Sequence, residues 1–331
     1  MKKLYTLTLL IASCAAFAQA SDAFLGTGAL NANGWVTHSG ATPGQITIAA
    51  GSLTYPGFTS QGNKAQLIAG NSEDVNKASA AALTGTAYYS LLLSLPNTTG
   101  LALNTDPIGN YFVMFATTAG ATGVTGFNGR IYIRAGVNPN TYNLGILNGA
   151  GGTASPTWVA TDYDATAVMF LVVKFDFATN TASLFVNPAI GGTEGAATVT
   201  NATGTSVAPA QFASIALRQA GTAAAGTGNI DIDEVRIGGT WAYVTSDILA
   251  VKQNSISGLK VYPNPVTNGN LFITSDSNNA KQVVVYDILG KQVINATVTN
   301  QPLNVSNLNS GVYMVKITES GKTATRKLVI Q

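Results

Sequence analysis

Residues 167–187 read AVMFLVVKFDFATNTASLFVN, two apolar runs rich in β-branched and aromatic residues on either side of a short polar break. The break, FATNTA, has the Asn and Thr content of a tight turn, so the stretch predicts two antiparallel strands rather than a helix. The same texture recurs upstream and downstream in TAYYSLLLSL (86–95), NYFVMFA (110–116), GRIYIRA (129–135) and QFASIALRQA (211–220). Gly, Asn, Pro and Thr clusters separate these runs. In GRIYIRA the alternation is plain: Ile131 and Ile133 share one face, and Arg130, Tyr132 and Arg134 share the other. Ten or more such strands without alternating helices predict an antiparallel sandwich or jelly roll, not an α/β sheet. The one helical candidate is EDVNKASAAAL (73–83).

The chain of 331 residues is comfortable for two domains. Hydrophobic residues make up 46% and charged ones 10%, against roughly 25% charged in ordinary soluble domains. Such apolar content excludes a disordered chain. The opening MKKLYTLTLLIASCAAFAQA has a basic start, an apolar core and a small-residue end, the pattern of a Sec signal peptide over residues 1–20, cleaved after Ala18 or Ala20. Cys14, the only cysteine, also ends a lipobox-like IASC. If Cys14 leaves with the leader, disulfides, thiolate catalysis and cysteine zinc sites leave with it. No later run is long and apolar enough to predict a transmembrane helix.

Charge divides the chain. Residues 21–250 carry 7 Lys/Arg against 12 Asp/Glu, a balance of −5, whereas 254–331 carry 7 against 3, a balance of +4. Neither part has the dense basic patch of a nucleic-acid binder. The expected organisation is a first domain over 21–245, a polar joint over 246–258 and a second domain over 259–331. The last segment reads as hairpins: KQVVVYDILGKQVINATV turns at Asp287–Gly290, and LNSGVYMVKITESGKTATRKLVIQ turns at Ser320-Gly321. About seven short strands in so short a segment predict a small immunoglobulin-like sandwich. At its entrance stands KVYPNPVTNG (260–269), where Pro263 and Pro265 fix φ and remove two backbone donors, which makes a rigid corner.

VYPNPVTNGNLFI, VVVYDILGKQV, LNVSNLNSGVYMVKI and the terminal TATRKLVIQ, in this order, resemble the type A C-terminal sorting domain of type IX secretion. The resemblance covers Leu259 to Gln331. It implies passage of the inner membrane by Sec, recognition of the folded C-terminal domain by an outer-membrane translocon, and cleavage near the joint by a sortase-like peptidase. That peptidase releases the first domain or links it to surface polysaccharide, machinery typical of Bacteroidota-type bacteria. The family pattern falls on Tyr262, Pro263, Asn264, Pro265, Asp287, Gly290, Gly311, Tyr313 and Lys327. Gly290 and Gly311 are expected to supply positive φ in turns, and Tyr313 to pack in the core.

The first segment resembles exported jelly rolls of the concanavalin A/laminin-G type, through FLGTGALNANGWVTHSG, ITIAAGSLTYPGF, LFVNP and IDIDEVRIGG. Retaining glycoside hydrolases on such a scaffold place two carboxylates on one strand face, one as nucleophile and one as acid. In NIDIDE (229–234), Asn229 holds the nucleophile's place, Asp231 and Asp233 share a face, and Glu234 alternates away unless a bulge intervenes. The expectation is a structural strand and no enzyme. Asp162, Asp164, Asp176, Asp231 and Asp233 are candidates for a structural calcium ion; no other cofactor is expected. His38, the only histidine, lacks the GxSxG elbow of a hydrolase triad. Trp35, Tyr55, Tyr88, Tyr111, Tyr132, Tyr142 and Trp158 are core or sugar-stacking residues. The expected function is an exported adhesion or glycan-binding passenger; a structural surface protein and a secreted polysaccharide hydrolase are the alternatives.

Overall fold

The computed structural model describes residues 19–40, 44–247, 256, 258–277, 279–299, 301–320 and 322–331. The leader up to Ala18, Cys14, most of the joint and Gly321 lie outside the described residues. The chain divides into two compact units, Met1–Asp247 and Ile248–Gln331.

The first unit is an antiparallel sandwich of two sheets. One runs Val199–Asn201, Thr181–Val186, Met169–Asp176, Thr86–Ser94, Ile230–Gly238, Lys64–Leu67, Thr47–Ala49 and Gly28–Ala29. The strand Ala20–Asp22 also pairs with Ile230–Gly238. The other sheet runs Thr157–Trp158, Thr141–Leu147, Asn128–Ala135, Asn110–Ala116, Phe212–Arg218, Asp74–Leu83 and Val36–Ser39. Leu91, Leu93, Leu171 and Val173 of the first sheet meet Val113, Phe115, Ile131, Ile133 and Ile215 of the second in one buried cluster. Period-two alternation puts these side chains on the inner faces, where each buried aliphatic side chain contributes about 1.5–3 kcal/mol. The hairpin expected from residues 167–187 forms as Met169–Asp176 paired with Thr181–Val186. Asp176 Oδ1 accepts from Ala178 N and Thr179 N in the turn, and Asn180 takes a positive φ of 52°.

A second apolar layer lies on the outer face of the first sheet. Tyr88, Leu92, Phe170, Val172 and Phe185 pack there under Leu53, Phe58, Trp241 and Val244. Trp241–Thr245 is a single α-helical turn, capped at its start by the Thr240 side chain.

The expected helix over 73–83 is instead the strand Asp74–Leu83. Its alanines favour a helix, but intrinsic propensity is worth less than about 1 kcal/mol per residue and yields to tertiary context. Pairing with Phe212–Arg218 on one side and Val36–Ser39 on the other, with Val75 and Leu83 in the core, outweighs that preference.

Among the described residues the second unit has seven strands in two sheets, Lys260–Tyr262, Asn270–Thr274 and Leu303–Asn304 in one and Gln292–Val298, Lys281–Tyr286, Gly311–Glu319 and Lys322–Ile330 in the other. Leu271, Ile273, Val283, Val285, Val315, Ile317 and Leu328 form its core. The hairpins turn where the sequence places them, at Asp287–Gly290 and after Glu319. Both folds are all-β, as expected: a jelly-roll sandwich followed by a small immunoglobulin-like one.

Candidate functional site

The carboxylates of the strand Ile230–Gly238 are consumed by the protein itself. Asp231 accepts from Lys64 Nζ and Gln66 Nε2, each at 2.8 Å. Asp233 Oδ2 accepts from Ser52 Oγ at 2.5 Å and from Leu53 N at 2.8 Å. A bulge between Asp233 and Arg236, with Glu234 at φ 50°, gives the inward place to Val235 and keeps Glu234 on the outer face that Asp231 and Asp233 share. There it accepts from Gln61 N at 3.0 Å and from Arg236 Nη2 at 3.4 Å. Asn229 Oδ1 accepts from Ala69 N. Burial pushes the Asp233 carboxyl up to about 7, against hydrogen bonds from Ser52 and Leu53 that lower it. Arg236 also donates to the Ser246 carbonyl and lies 4.5 Å over the Phe58 ring, while Thr59 binds the Asp247 carboxylate through its N–H and its hydroxyl. The strand thus fastens the 52–61 loop and the last residues of the unit together.

The calcium candidates do not converge. Asp162 accepts from Val137 N, Asp164 is exposed, and Asp176 holds its own turn. Among the described residues, no three acidic, histidine or cysteine side chains are grouped to hold a metal. His38 lies beside Asn76 and Phe127, and burial lowers its pKa. Trp35, Tyr88 and Tyr142 are buried, and Tyr55 packs on Phe170.

The remaining aromatics gather on the outer face of the second sheet. A bulge at Phe112 places Tyr111 opposite Tyr132 rather than in the core, and the two rings lie 5.3 Å apart. The Arg130 guanidinium stands 5.2 Å from the Tyr111 ring, and that of Arg218 stands 4.1 Å from it. Across the face, Arg134 stacks 3.9 Å from the Trp158 ring. Trp158 lies over Gly145, whose missing side chain makes room for it: a Cβ there would come within 3.0 Å of the indole. Asn143, opposite Arg134, is 5% exposed, and its Oδ1 is buried without a partner, as is Arg134 Nε. Asp74 stands opposite Arg218, with Oδ1 buried and unpartnered. Sequence reasoning singled out the aromatics and the shared side of Arg130, Tyr132 and Arg134. It missed Arg218, Asp74 and Asn143, which reach this face only through strand pairing.

In the second unit the corner at 262–265 lies on the end of the terminal strand. Tyr262 stacks on Phe272, 5.6 Å between centroids. Asn264, between Pro263 and Pro265, binds the backbone of Lys327 and of Val329. Asp287 Oδ1 accepts from Leu289 N and Lys291 N, and Gly290 takes a φ of 82°. This closed turn presents Ile288 and Leu289 to solvent, 80% and 89% exposed. Gly311 departs from expectation: it has no positive φ and begins a strand opposite Ile330, where pairing holds it extended. Tyr313 packs half-buried against the core and donates its hydroxyl proton to the Asn309 carbonyl. Lys327 is exposed.

Residues 260–331 match the family described as the secretion system C-terminal sorting domain. The second unit is a sorting domain. It marks the chain for export through type IX secretion, to the cell surface or the medium. No helix among the described residues is long and apolar enough to cross a membrane. No curated protein matches the sequence. Three solved structures similar to the chain are a sialidase, lectin II from Ulex europaeus, and domain 4 of AbnA, an extracellular arabinanase from Geobacillus stearothermophilus, in complex with arabinotriose. The sialidase is 12% identical over 68% of this chain, with a TM-score of 0.39, and this chain spans 19% of its length. The lectin is 10% identical over 66% of this chain and 97% of its own, with a TM-score of 0.38. The arabinanase domain is 16% identical over 64% and 86%, with a TM-score of 0.34. The sorting domain accounts for where the chain goes and leaves the first unit's task to its own geometry.

Proposed function

We propose that the first unit is a glycan-binding, non-catalytic passenger, delivered by the sorting domain and separated from it by a sortase-like peptidase cutting within residues 246–258. The observation that supports this is the half-buried Tyr111, turned out of the core by a bulge to stand beside Tyr132. A core-building tyrosine would face inward. On this outer face Arg218 covers one side of the ring, and the apolar surface it leaves open is offered to the C–H face of a sugar, while the surrounding polar groups offer hydrogen bonds to its hydroxyls.

A polysaccharide hydrolase is the less favoured reading. Glycoside hydrolysis needs two free carboxylates flanking the bond, and those of 231–234 are bound to Lys64, Gln66, Ser52, Leu53 and Gln61. The test is a glycan array probed with the purified full chain and with Tyr111→Ala, alongside a reducing-sugar release assay. Binding that Tyr111→Ala abolishes, with no sugar release, is the expected result. Release that disappears on changing Asp231, Asp233 or Glu234 would replace this reading with a hydrolase.

A further inference from the structure

The first unit is acidic overall, yet its cations are not spread evenly. Residues 21–250 contain seven Lys and Arg, of which Arg130, Arg134 and Arg218 all stand on the outer face of the second sheet. Lys64, Lys77, Lys174 and Arg236 each form a salt bridge; these three arginines form none among the described residues. Arg134 is countered by the charges of Asp106 and Asp162 and is held by the Asp106 carbonyl. Arg130 and Arg218 are left. Each uses one N–H on the backbone, Arg130 Nε on the Phe127 carbonyl and Arg218 Nη1 on the Tyr111 carbonyl. These bonds fix both guanidiniums beside the Tyr111 ring, and each keeps further N–H donors for another acceptor.

We infer that this face binds an acidic saccharide, its pyranose ring beside Tyr111 on the side that Arg218 leaves open and its carboxylate on the Arg130 and Arg218 guanidiniums. This rests on the glycan-binding reading and specifies its ligand. A planar guanidinium matches the two oxygens of a uronate carboxylate, and both cations are already ordered by the protein, so little side-chain freedom is lost on binding. The opposing charge is the Asp74 carboxyl across the strand pair. Burial pushes it up to about 7, against the lowering effect of Arg218, so near neutral pH it only partly cancels that cation. A neutral sugar would leave Arg130 uncountered and Arg218 only partly countered by Asp74, which sets the preference.

Titration of the full chain with hexagalacturonate and with its fully methyl-esterified form tests the charge directly, because the ring stays and the carboxylate disappears. The acid is expected to bind and the ester to bind at least about tenfold more weakly. Arg130→Gln and Arg218→Gln each bring the acid down to the level of the ester; Arg218→Lys restores part of the loss. Near-UV circular dichroism and the melting temperature confirm that each variant is folded, and Arg130→Gln carries the test if Arg218→Gln is not. Equal binding of acid and ester, or a sulfated oligosaccharide preferred to the uronate, overturns the carboxylate assignment and leaves the glycan site in place. Absence of binding to every glycan tested, acidic or neutral, overturns both.

Discussion

Asn264 and Val329, 65 residues apart, are joined by a 2.9 Å hydrogen bond from the Val329 N–H to Asn264 Oδ1. The other end of the same amide donates to the Lys327 carbonyl, also at 2.9 Å. The Pro-Asn-Pro corner therefore grips the final strand of the sorting domain at two adjacent points. Next to it Val266 N donates to the Val329 carbonyl and Gln331 N donates to Val266 O, so the corner closes the end of an otherwise open sheet edge.

Asn264→Ala is expected to remove both bonds. They are solvent-exposed, so water replaces them and the loss is about 1–2 kcal/mol. In a unit this small that lowers the melting temperature of the second transition by about 4–8 °C or more. Asn264→Asp retains the acceptor and loses the donor, so it should fall between. Thermal unfolding of the full chain checks the order.

Lys281 and Glu319 form a buried pair in the sorting domain, 2.8 Å apart and 1% and 6% exposed. Removing one partner strands a buried charge, so Lys281→Met or Glu319→Leu alone is expected to cost about 3–5 kcal/mol, whereas the double variant should be close to neutral. Burial raises the Glu319 pKa, but hydrogen bonds from Lys281, Ser275 and Ser277 outweigh it and hold the carboxyl below its ordinary value. A depressed carboxylate stabilises the fold above its unfolded pKa, and that stability disappears as pH falls through the folded value. Acid denaturation of the second transition should therefore shift in Glu319→Gln.

The first unit should show the opposite slope. Burial pushes the Asp74 and Asp233 carboxyls up to about 7. Between the unfolded value near 4 and the folded value near 7, the folded chain holds protons that the unfolded chain has released. Stability therefore declines as pH rises through that window and is level above it. Melting of the first transition is expected at a higher temperature at pH 5 than at pH 8, and Asp74→Asn with Asp233→Asn should flatten the difference.

Gly145→Ala probes the outer face without altering any charge. The added Cβ would meet the Trp158 ring at 3.0 Å, so the indole must shift by a few tenths of an ångström, and Arg134 stacked upon it must follow. Stability should change by less than about 1.5 kcal/mol, while Trp fluorescence shifts and glycan affinity falls. Unaltered affinity would place the ligand away from the Trp158 end of the face.

Deleting Leu259–Gln331 should leave the first unit in the periplasm, since the deletion removes the whole matched sorting domain. Fractionation of cells expressing the truncated chain measures this. Normal appearance in the medium would mean that export does not need the sorting domain.

Local chemistry made the strands and the sorting signature legible. The run 167–187 encodes a hairpin by itself, and GRIYIRA announces by alternation which side its arginines take. What stayed hidden depends on partners far along the chain. Nothing in NYFVMFA marks the bulge at Phe112, because a bulge is a mismatch with the facing strand. Strict alternation puts Glu234 on the face opposite Asp231 and Asp233 for the same reason, and the bulge after Asp233 returns it to theirs. The alanines of 73–83 favour a helix locally, and only the two flanking strands decide otherwise. The expectation of a turn glycine at Gly311 fails in the same way, because its pairing with Ile330 keeps it extended.

The fastening of Arg236 to Ser246 and of Thr59 to Asp247 also has a mechanical meaning. If export through the sorting domain loads the chain, the load reaches the first unit through Asp247. It would then pass into the strand Ile230–Gly238, which pairs with Thr86–Ser94 on one flank and with Lys64–Leu67 and Ala20–Asp22 on the other. Force along such a strand has to shear a whole row of bonds together, whereas a strand at the edge of a sheet peels away one bond at a time. A load entering from that end would thus meet the first unit along its shear-resistant direction.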